Sequence, residues 1–150
     1  MKKFLAAICA AALLISGCSE NSQATPATVK EAAQVQSSIT IQVNGKNYSA
    51  ALEDNPTARA FAKRLPLEVN MTELNGNEKY FYLDTDLPAD SQRVDRIHAG
   101  DLMLFGSNCV VLFYKDFATT YTYTRLGKLD DPDDLEKILG AGTVRVTFKE

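Results

Sequence analysis

The feature that most constrains the fold is a series of short strand-like segments separated by turns. Ile39–Val43 alternates apolar and polar residues, and Asn44-Gly45 behind it is a strong hairpin pair, so Lys46–Leu52 is read as the returning strand. Similar segments follow at Leu67–Met71, Glu78–Leu83, Leu102–Phe105, Cys109–Tyr114, Tyr121–Leu126 and Thr143–Phe148. The pattern predicts a mainly β domain of about eight short strands.

Two segments between these strands predict helices. Asp54 or Asn55 would cap the first helix, Pro56 would be its first residue, and Pro66 would end it. The second helix would have Asp131 as its cap, Pro132 at its first position and Gly140 at its end. Residues 84–99 read as a polar connection. A compact, mostly antiparallel barrel capped by two helices satisfies this order of elements.

The first eighteen residues concern location rather than fold. Lys2 and Lys3 precede an apolar run that is too short to cross a bilayer, which is typical of a secretory signal. The run ends in Leu14-Ile15-Ser16-Gly17-Cys18, which resembles the lipobox of bacterial lipoproteins. The resemblance implies removal of residues 1–17 and acylation of Cys18, including palmitate. An ordinary signal peptide with a chance cysteine is the alternative.

Residues 18–36 read as a lipidated cysteine and a flexible tether, and residues 37–150 as one domain. The tether is rich in Ser, Thr, Ala and Gln and has no aromatic residue, so it cannot bury a core. Ser19 stands where an Asp would retain a lipoprotein in the inner membrane. By resemblance to Gram-negative lipoproteins, the protein is expected in the outer membrane, facing the periplasm. A net charge of −3 with scattered charges argues against nucleic-acid binding.

Several short motifs follow one another along residues 37–150 in a distinctive order. They are Asp54-Asn55-Pro56, Arg64-Leu65-Pro66-Leu67, Asn77-Glu78-Lys79-Tyr80, Ala99-Gly100-Asp101-Leu102-Met103-Leu104, Val111-Leu112-Phe113-Tyr114-Lys115, Tyr123-Thr124-Arg125-Leu126-Gly127-Lys128 and the final strand. Their order resembles the cyclophilin-like family of small bacterial proteins, a branch distant from true cyclophilins. The resemblance implies a closed, mostly antiparallel barrel of about eight strands with two helices.

The chain offers little catalytic chemistry. The arginine, Gln-Phe-Phe strand and histidine of true cyclophilins are not found as a set, which argues against prolyl isomerase activity. His98 is the only histidine and reads as a solvated loop residue. Cys109, in an apolar strand, reads as an inert core thiol. One histidine and one buried cysteine cannot build a zinc site, and the Asp130–Glu136 acids lack calcium-loop spacing. No metal or cofactor is therefore predicted.

A groove on the barrel face is the better candidate site. Tyr80 and Tyr82 should share one face of their strand. Another strand should carry Tyr121, Tyr123 and Arg125 on one face, with Phe113 in the strand beside it. Aromatic rings beside an arginine could hold a peptide or a small carboxylate. The family motif adds Glu78 and Asn55 at the edge. A lipid-anchored binding module is favoured over an altered isomerase and over a purely structural or interaction domain.

Overall fold

The computed structural model describes residues 37–150, so the lipobox, Cys18 and the tether lie outside the described residues. Eight strands and two helices fall where the sequence predicts them. The eight strands are β1 (Ser38–Val43), β2 (Lys46–Leu52), β3 (Leu67–Leu74), β4 (Glu78–Tyr82), β7 (Asp101–Phe105), β8 (Cys109–Phe113), β10 (Thr122–Leu129) and β11 (Val144–Lys149). Three two-residue strands complete the described part: β5 (Gln92–Arg93), β6 (Arg96–Ile97) and β9 (Phe117–Ala118).

The eight longer strands close into an antiparallel barrel in the order β2-β1-β11-β3-β4-β8-β7-β10, with β10 pairing back onto β2. The hairpins that start the barrel are local: Asn44 and Gly45 both have positive φ, as do Asn75 and Gly76. A β-bulge between Arg125 and Gly127 interrupts the pairing of β10 with β7, and Gly127 also lies at the closing seam, opposite Leu52 of β2. A Cβ added at Gly127 would lie 2.4 Å from the carbonyl oxygen of Ala51, so the seam requires glycine.

The first helix, α1 (Pro56–Ala62), begins as predicted. The side chain of Asn55 accepts a hydrogen bond from the amide of Ala58, and Pro56 is the first helical residue. Phe61 of α1 is fully buried and meets Phe148 of β11 edge to face. The helix packs its apolar face on the barrel core.

The second helix, α2 (Leu135–Leu139), starts later than predicted. Its cap is Asp134 rather than Asp131, because Pro132 lies in a separate turn closed by the hydrogen bond from Leu135 to the Pro132 carbonyl. The carboxylate of Asp134 also has partners in β2, since Lys46 pairs with it and the Tyr48 hydroxyl donates to it. Gly140 ends the helix with positive φ, as expected.

Two apolar cores lie on opposite sides of the barrel wall. Residues such as Ile41, Leu104 and Phe148 fill the interior. A smaller outer core lies on the other face of β7, β8 and β10, and its fully or largely buried members are Ile97, Met103, Cys109, Val111, Phe113 and Tyr123. Alternation along β8 explains this division, because successive side chains face opposite sides of a strand. Both cores, and all barrel pairings, come from residues 37–150, which lie in one compact unit.

The connection between β4 and β7 is more ordered than predicted. It contains β5, which pairs with β10, and β6, which pairs with β9. Ile97 and Phe117 face each other across β6 and β9 and cover the outer core. The sequence predicts a polar connection here but not these two strands, because a two-residue strand is too short to show alternation. Within residues 37–150, neither helix has the length and apolar content needed to cross a bilayer.

Candidate functional site

A cleft on the outer barrel face, called here the aromatic groove, crosses strands β4, β8, β7 and the start of β10. Its volume is about 290 Å³. Tyr80 and Tyr82 reach it from β4, because alternate residues of a strand share a face. The other lining residues are Leu74, Asn75, Glu78, Phe105, Cys109, Val111, Tyr121 and Tyr123.

The exposed large apolar side chains of residues 37–150 lie together at the rim of this groove. Among the described residues, the large hydrophobic side chains that are exposed are Leu74 at 42%, Tyr82 at 65%, Phe105 at 45% and Tyr121 at 63%, and all of them line the aromatic groove. Scattered exposed apolar residues need no explanation, but a contiguous set at one cleft indicates a contact surface. The groove is therefore apolar at its rim and open to solvent.

The rings of the groove rest on a packed aromatic floor. Tyr123 is 5% exposed and meets Phe113 edge to face, with ring centroids 5.5 Å apart. Phe105 contacts both Tyr121 and Tyr123, at centroid distances of 6.0 and 5.7 Å. These contacts fix the positions of the exposed rings, because edge-to-face packing holds each ring in one orientation.

Glu78 is the charged residue of the groove. It stands at the start of β4, opposite Phe113 of β8, and only 9% of its surface is exposed. Burial raises the pKa of Glu78 to about 7, and the negative charge of Glu73 adds to this effect. The charge of Glu78 also adds to burial in raising the pKa of Tyr123 to about 12.

A second cleft, called here the polar depression, adjoins the aromatic groove. Its volume is about 490 Å³, and it shares Asn75, Glu78, Tyr121 and Tyr123 with the groove. Its other walls include Asn77, Thr119, Thr120, and the ion pair of Arg93 with Asp95. Glu78 thus lies on the boundary between an apolar and a polar cleft.

Arg125 and Asn55 lie beyond Tyr123 in a third cleft, called here the arginine depression. This cleft has a volume of about 380 Å³ and shares Tyr123, but neither Tyr80 nor Tyr82, with the aromatic groove. The Asn55 side chain donates a hydrogen bond to the carbonyl of Arg125, and the Arg125 side chain is exposed. The predicted site residues therefore form two neighbouring groups joined by Tyr123.

Phe113 is positioned differently from the sequence expectation. Its strand β8 does not pair with β10, because β7 lies between them. The two strands were expected to be neighbours, but β7 and β8 form a hairpin and β7 takes the place beside β10. The rings of Phe113 and Tyr123 nevertheless meet across β7, because both large side chains face outward. Phe113 is fully buried, so it lies beneath the aromatic groove and does not line it.

Cys109 and His98 occupy the environments that their sequence contexts indicated. Cys109 is a free thiol, 6% exposed, at the base of the aromatic groove, and burial raises its pKa. His98 is half exposed, and its partner is Asp116, whose Oδ2 lies 3.2 Å from Nδ1. The backbone amide of Ala99 and the His98 ring lower the pKa of Asp116.

The largest of the clefts described, about 780 Å³, lies at one end of the barrel beside α2. Three of its four carboxylates already have partners: Glu73 pairs with Lys79, Asp134 with Lys46, and Glu136 with Lys115. Within residues 37–150, no group of three or more His, Cys, Asp or Glu side chains is arranged to hold a metal ion. This cleft therefore offers less free chemistry than the aromatic groove.

Leu74 and Phe105 were not named as site residues from the sequence. Phe105 and Cys109 are paired across the β7–β8 hairpin, so the outward register of that hairpin would have identified both. Leu74 is the last residue of β3 and Asn75 the first of the β3–β4 turn, and both line the groove edge. The missing information was the register, which local patterns do not fix.

Comparison with known proteins agrees with this architecture. The solution structure of a hypothetical protein from Archaeoglobus fulgidus superimposes with a TM-score of 0.58 at 18% identity, covering 77% of this chain and 95% of that one. At this identity the likeness concerns the fold alone. No curated protein sequence matches the chain. The profile of the Cyclophilin-like family matches residues 41–149, so the chain belongs to the cyclophilin-like family.

Proposed function

We propose that this protein is a binding module that holds a peptide or small ligand in the aromatic groove. The observation that carries the proposal is the concentration of exposed large apolar side chains, Leu74, Tyr82, Phe105 and Tyr121, at one cleft. A ligand that covers such side chains binds more favourably, by about 25 cal/mol per Å² of apolar area removed from water. Tyrosines also leave a hydroxyl free for polar contact.

Tyr123 gives the proposed site its length. Its ring borders both the aromatic groove and the arginine depression, so an extended ligand lying across Tyr123 would reach Arg125 and Asn55. An arginine at one end suits a carboxylate, and the tyrosines suit an apolar segment. The proposal therefore favours an extended peptide over a compact ligand.

The test is a two-dimensional NMR titration of residues 37–150, which contain the complete barrel and both described cores. The probe is an acetylated Ala-Lys-Pro-Ala peptide with a free carboxyl end. Binding should shift the amide signals of Tyr80, Tyr82, Tyr121 and Tyr123, and Tyr82→Ala with Tyr121→Ala should remove the shifts. Shifts that avoid these strands would contradict the proposal.

The same sample examines the alternative of prolyl isomerisation. Catalysis would produce exchange between the cis and trans signals of the peptide proline, because the uncatalysed exchange is slow, on the order of tens of seconds or more. Binding without exchange supports a binding module. Exchange that Tyr82→Ala abolishes would assign an isomerase to the same groove.

We further propose that Cys18 anchors the protein by lipid to the bacterial cell envelope, at the outer membrane and facing the periplasm. The lipobox-like Leu14-Ile15-Ser16-Gly17-Cys18 and Ser19 support this location. Acyl chains contribute about 0.8 kcal/mol per buried CH₂, and more than one chain holds a protein stably. Cys18→Ala should move the full chain from the membrane to the soluble fraction and abolish palmitate labelling. Membrane retention of the unlabelled variant would contradict the anchor.

A further inference from the structure

We infer that the aromatic groove selects ligands that carry an alkylammonium group, with the Glu78 carboxylate as the counter-ion. This inference rests on the proposed function, because it names the chemistry of the ligand held by that groove. Four features carry it: an unpartnered carboxylate, a neighbouring residue with an unpartnered acceptor, the absence of a free cation at the cleft among residues 37–150, and a set of tyrosine rings.

The carboxyl of Glu78 has no hydrogen bond or ion pair within residues 37–150. The other buried charged side chains of the described region are satisfied. Lys79 pairs with Glu73 at 2.6 Å, and Asp101 accepts from the amide of His98 and lies 3.6 Å from Lys128. A buried carboxylate without a partner is costly, and a bound cation would remove that cost.

A second acceptor lies next to Glu78. The Oδ1 atom of Asn77 is buried and has no hydrogen-bond partner among the described residues, and Asn77 lines the polar depression together with Glu78. Two neighbouring acceptors that lack donors indicate a ligand that brings hydrogen-bond donors. An ammonium group has three donors and no acceptor.

The charge balance of the clefts also favours a cation. Arg93 lines the polar depression, but its guanidinium pairs with Asp95. Arg125 lies in the arginine depression, on the other side of Tyr123. The carboxylate of Glu78 is thus the uncompensated charge at the boundary of the groove and the polar depression.

The tyrosine rings suit the same ligand. Tyr80, Tyr82, Tyr121 and Tyr123 line the groove around Glu78, and Tyr80 packs edge to face against Tyr82 at 5.7 Å. A cation within about 6 Å of an aromatic ring centre is attracted by the ring face. The alkyl part of the ligand would cover Leu74 and Phe105, which are exposed in the free protein.

The raised pKa of Glu78, about 7, makes such binding depend on pH. An alkylammonium group keeps its charge between about pH 5 and pH 8, so loss of binding at low pH would report protonation of the protein. The titratable and charged groups that face Glu78 or line its two clefts are Glu73 on β3, Tyr80 and Tyr82 on β4, Arg93 on β5 with Asp95 after it, Cys109 on β8, Tyr121 before β10, and Tyr123 on β10. Burial raises the Cys109 and Tyr123 pKa values, so neither group titrates in this window.

The experiment compares n-butylammonium with its neutral counterpart n-butanol, by NMR titration of residues 37–150 at equal ionic strength. At about pH 8, we expect the shifts of the groove amide signals to give butylammonium a dissociation constant at least about tenfold lower than that of butanol. Affinity should fall about tenfold or more between about pH 8 and pH 5.5. Glu78→Gln should abolish both the preference and its pH dependence, while Glu68→Gln, on the exposed side of β3, should change neither.

Each result has one meaning for the inference. Preference for butylammonium that Glu78→Gln abolishes supports it. Equal shifts by the two probes overturn ammonium selection, while the groove itself still binds apolar ligands. Shifts by neither probe also overturn it, and the separate peptide titration then decides the fate of the proposed function. A Glu78→Gln variant with an unchanged amide spectrum excludes misfolding as the cause of lost binding.

Discussion

The ammonium of Lys79 lies 2.6 Å from Oε2 of Glu73 at one end of the barrel, and the Lys79 side chain is fully buried. The same ammonium donates hydrogen bonds to the carbonyls of Gly140 and Gly142, in the loop after α2. The hydroxyl of Tyr114 donates to the other carboxylate oxygen of Glu73 at 2.7 Å. Lys79, a residue of β4, thus links β4 to β3 and to the loop that follows α2.

Lys79→Met should destabilise the protein by about 3 kcal/mol or more, because it leaves Glu73 and two loop carbonyls without their donor. Urea unfolding of residues 37–150 measures this loss. Lys115→Met is the matched control, since Lys115 pairs with Glu136 while both side chains are exposed. The control should cost at most about 1 kcal/mol. Equal losses in the two variants would mean that burial adds nothing to the Lys79 interaction.

Glu78→Gln should stabilise the protein at alkaline pH and leave its stability nearly unchanged at acid pH. Burial raises the Glu78 pKa from 4.5 to about 7, so the folded state holds this proton more tightly than the unfolded state does. The resulting stabilisation is complete below the unfolded pKa and is lost as the pH rises through about 7. The charged side chain therefore lowers the stability of wild type near pH 8, and the variant lacks this cost. Urea midpoints across this pH range measure the difference, and a constant difference would contradict the raised pKa.

Glu73 should contribute the opposite dependence on pH. Burial alone would raise its pKa, but hydrogen bonds from Lys79 and Tyr114 together lower it below the usual value. The stabilisation is present above the unfolded pKa and is lost as the pH falls through the folded pKa. Glu73→Gln should therefore destabilise the protein at neutral pH and by less in strong acid, as thermal unfolding would show. Equal destabilisation at both pH values would indicate lost packing alone.

Gly127→Ala should weaken barrel closure, because its Cβ would lie 2.4 Å from the Ala51 carbonyl oxygen in the β10–β2 seam. We expect a loss of about 2 kcal/mol or more, with faster hydrogen exchange at the amides of Glu53 and Asp130, which donate across the seam to the carbonyls of Leu126 and Ser49. Thr122→Ala, at an exposed position of the same strand, should stay within about 0.5 kcal/mol of wild type. Unchanged exchange at the seam would show that the bulge can absorb a methyl group.

Arg125→Ala should lower the affinity for the acetylated peptide with a free carboxyl end without unfolding the domain. The side chain of Arg125 is exposed, and Asn55 bonds only its backbone carbonyl, so the fold does not depend on the guanidinium. The loss should disappear when the peptide end is amidated, since no carboxylate then faces the arginine. Destabilisation of this variant in urea would instead assign Arg125 a structural role.

The sequence was sufficient for the barrel because the determinants are local. Asn44-Gly45 and Asn75-Gly76 fix two hairpins through positive φ, and the eight longer strands each show alternation or an apolar run. Asn55 and Pro56 fix the start of α1. The start of α2 was predicted too early, because Asp131-Pro132 has the sequence of a helix start but forms a turn before the helix.

The site depended on information that is not local. Tyr80 and Tyr82 share a face by simple alternation, but the separation of Arg125 from them follows from the bulge and from β7 lying beside β10. The full burial of Lys79 was not anticipated, because lysines are seldom buried unless a partner from elsewhere in the chain meets them. The outer core was missed because its cover comes from two-residue strands.

The most direct test of the central claim is the search for intermolecular nuclear Overhauser effects between the Ala-Lys-Pro-Ala peptide and the rings of Tyr82, Tyr121 and Tyr123. We predict contacts from the lysine methylenes to these rings, and their loss when Tyr82→Ala is combined with Tyr121→Ala. Contacts that fall instead on the cleft beside α2, or on no ring of the aromatic groove, would contradict a binding site on this face of the barrel.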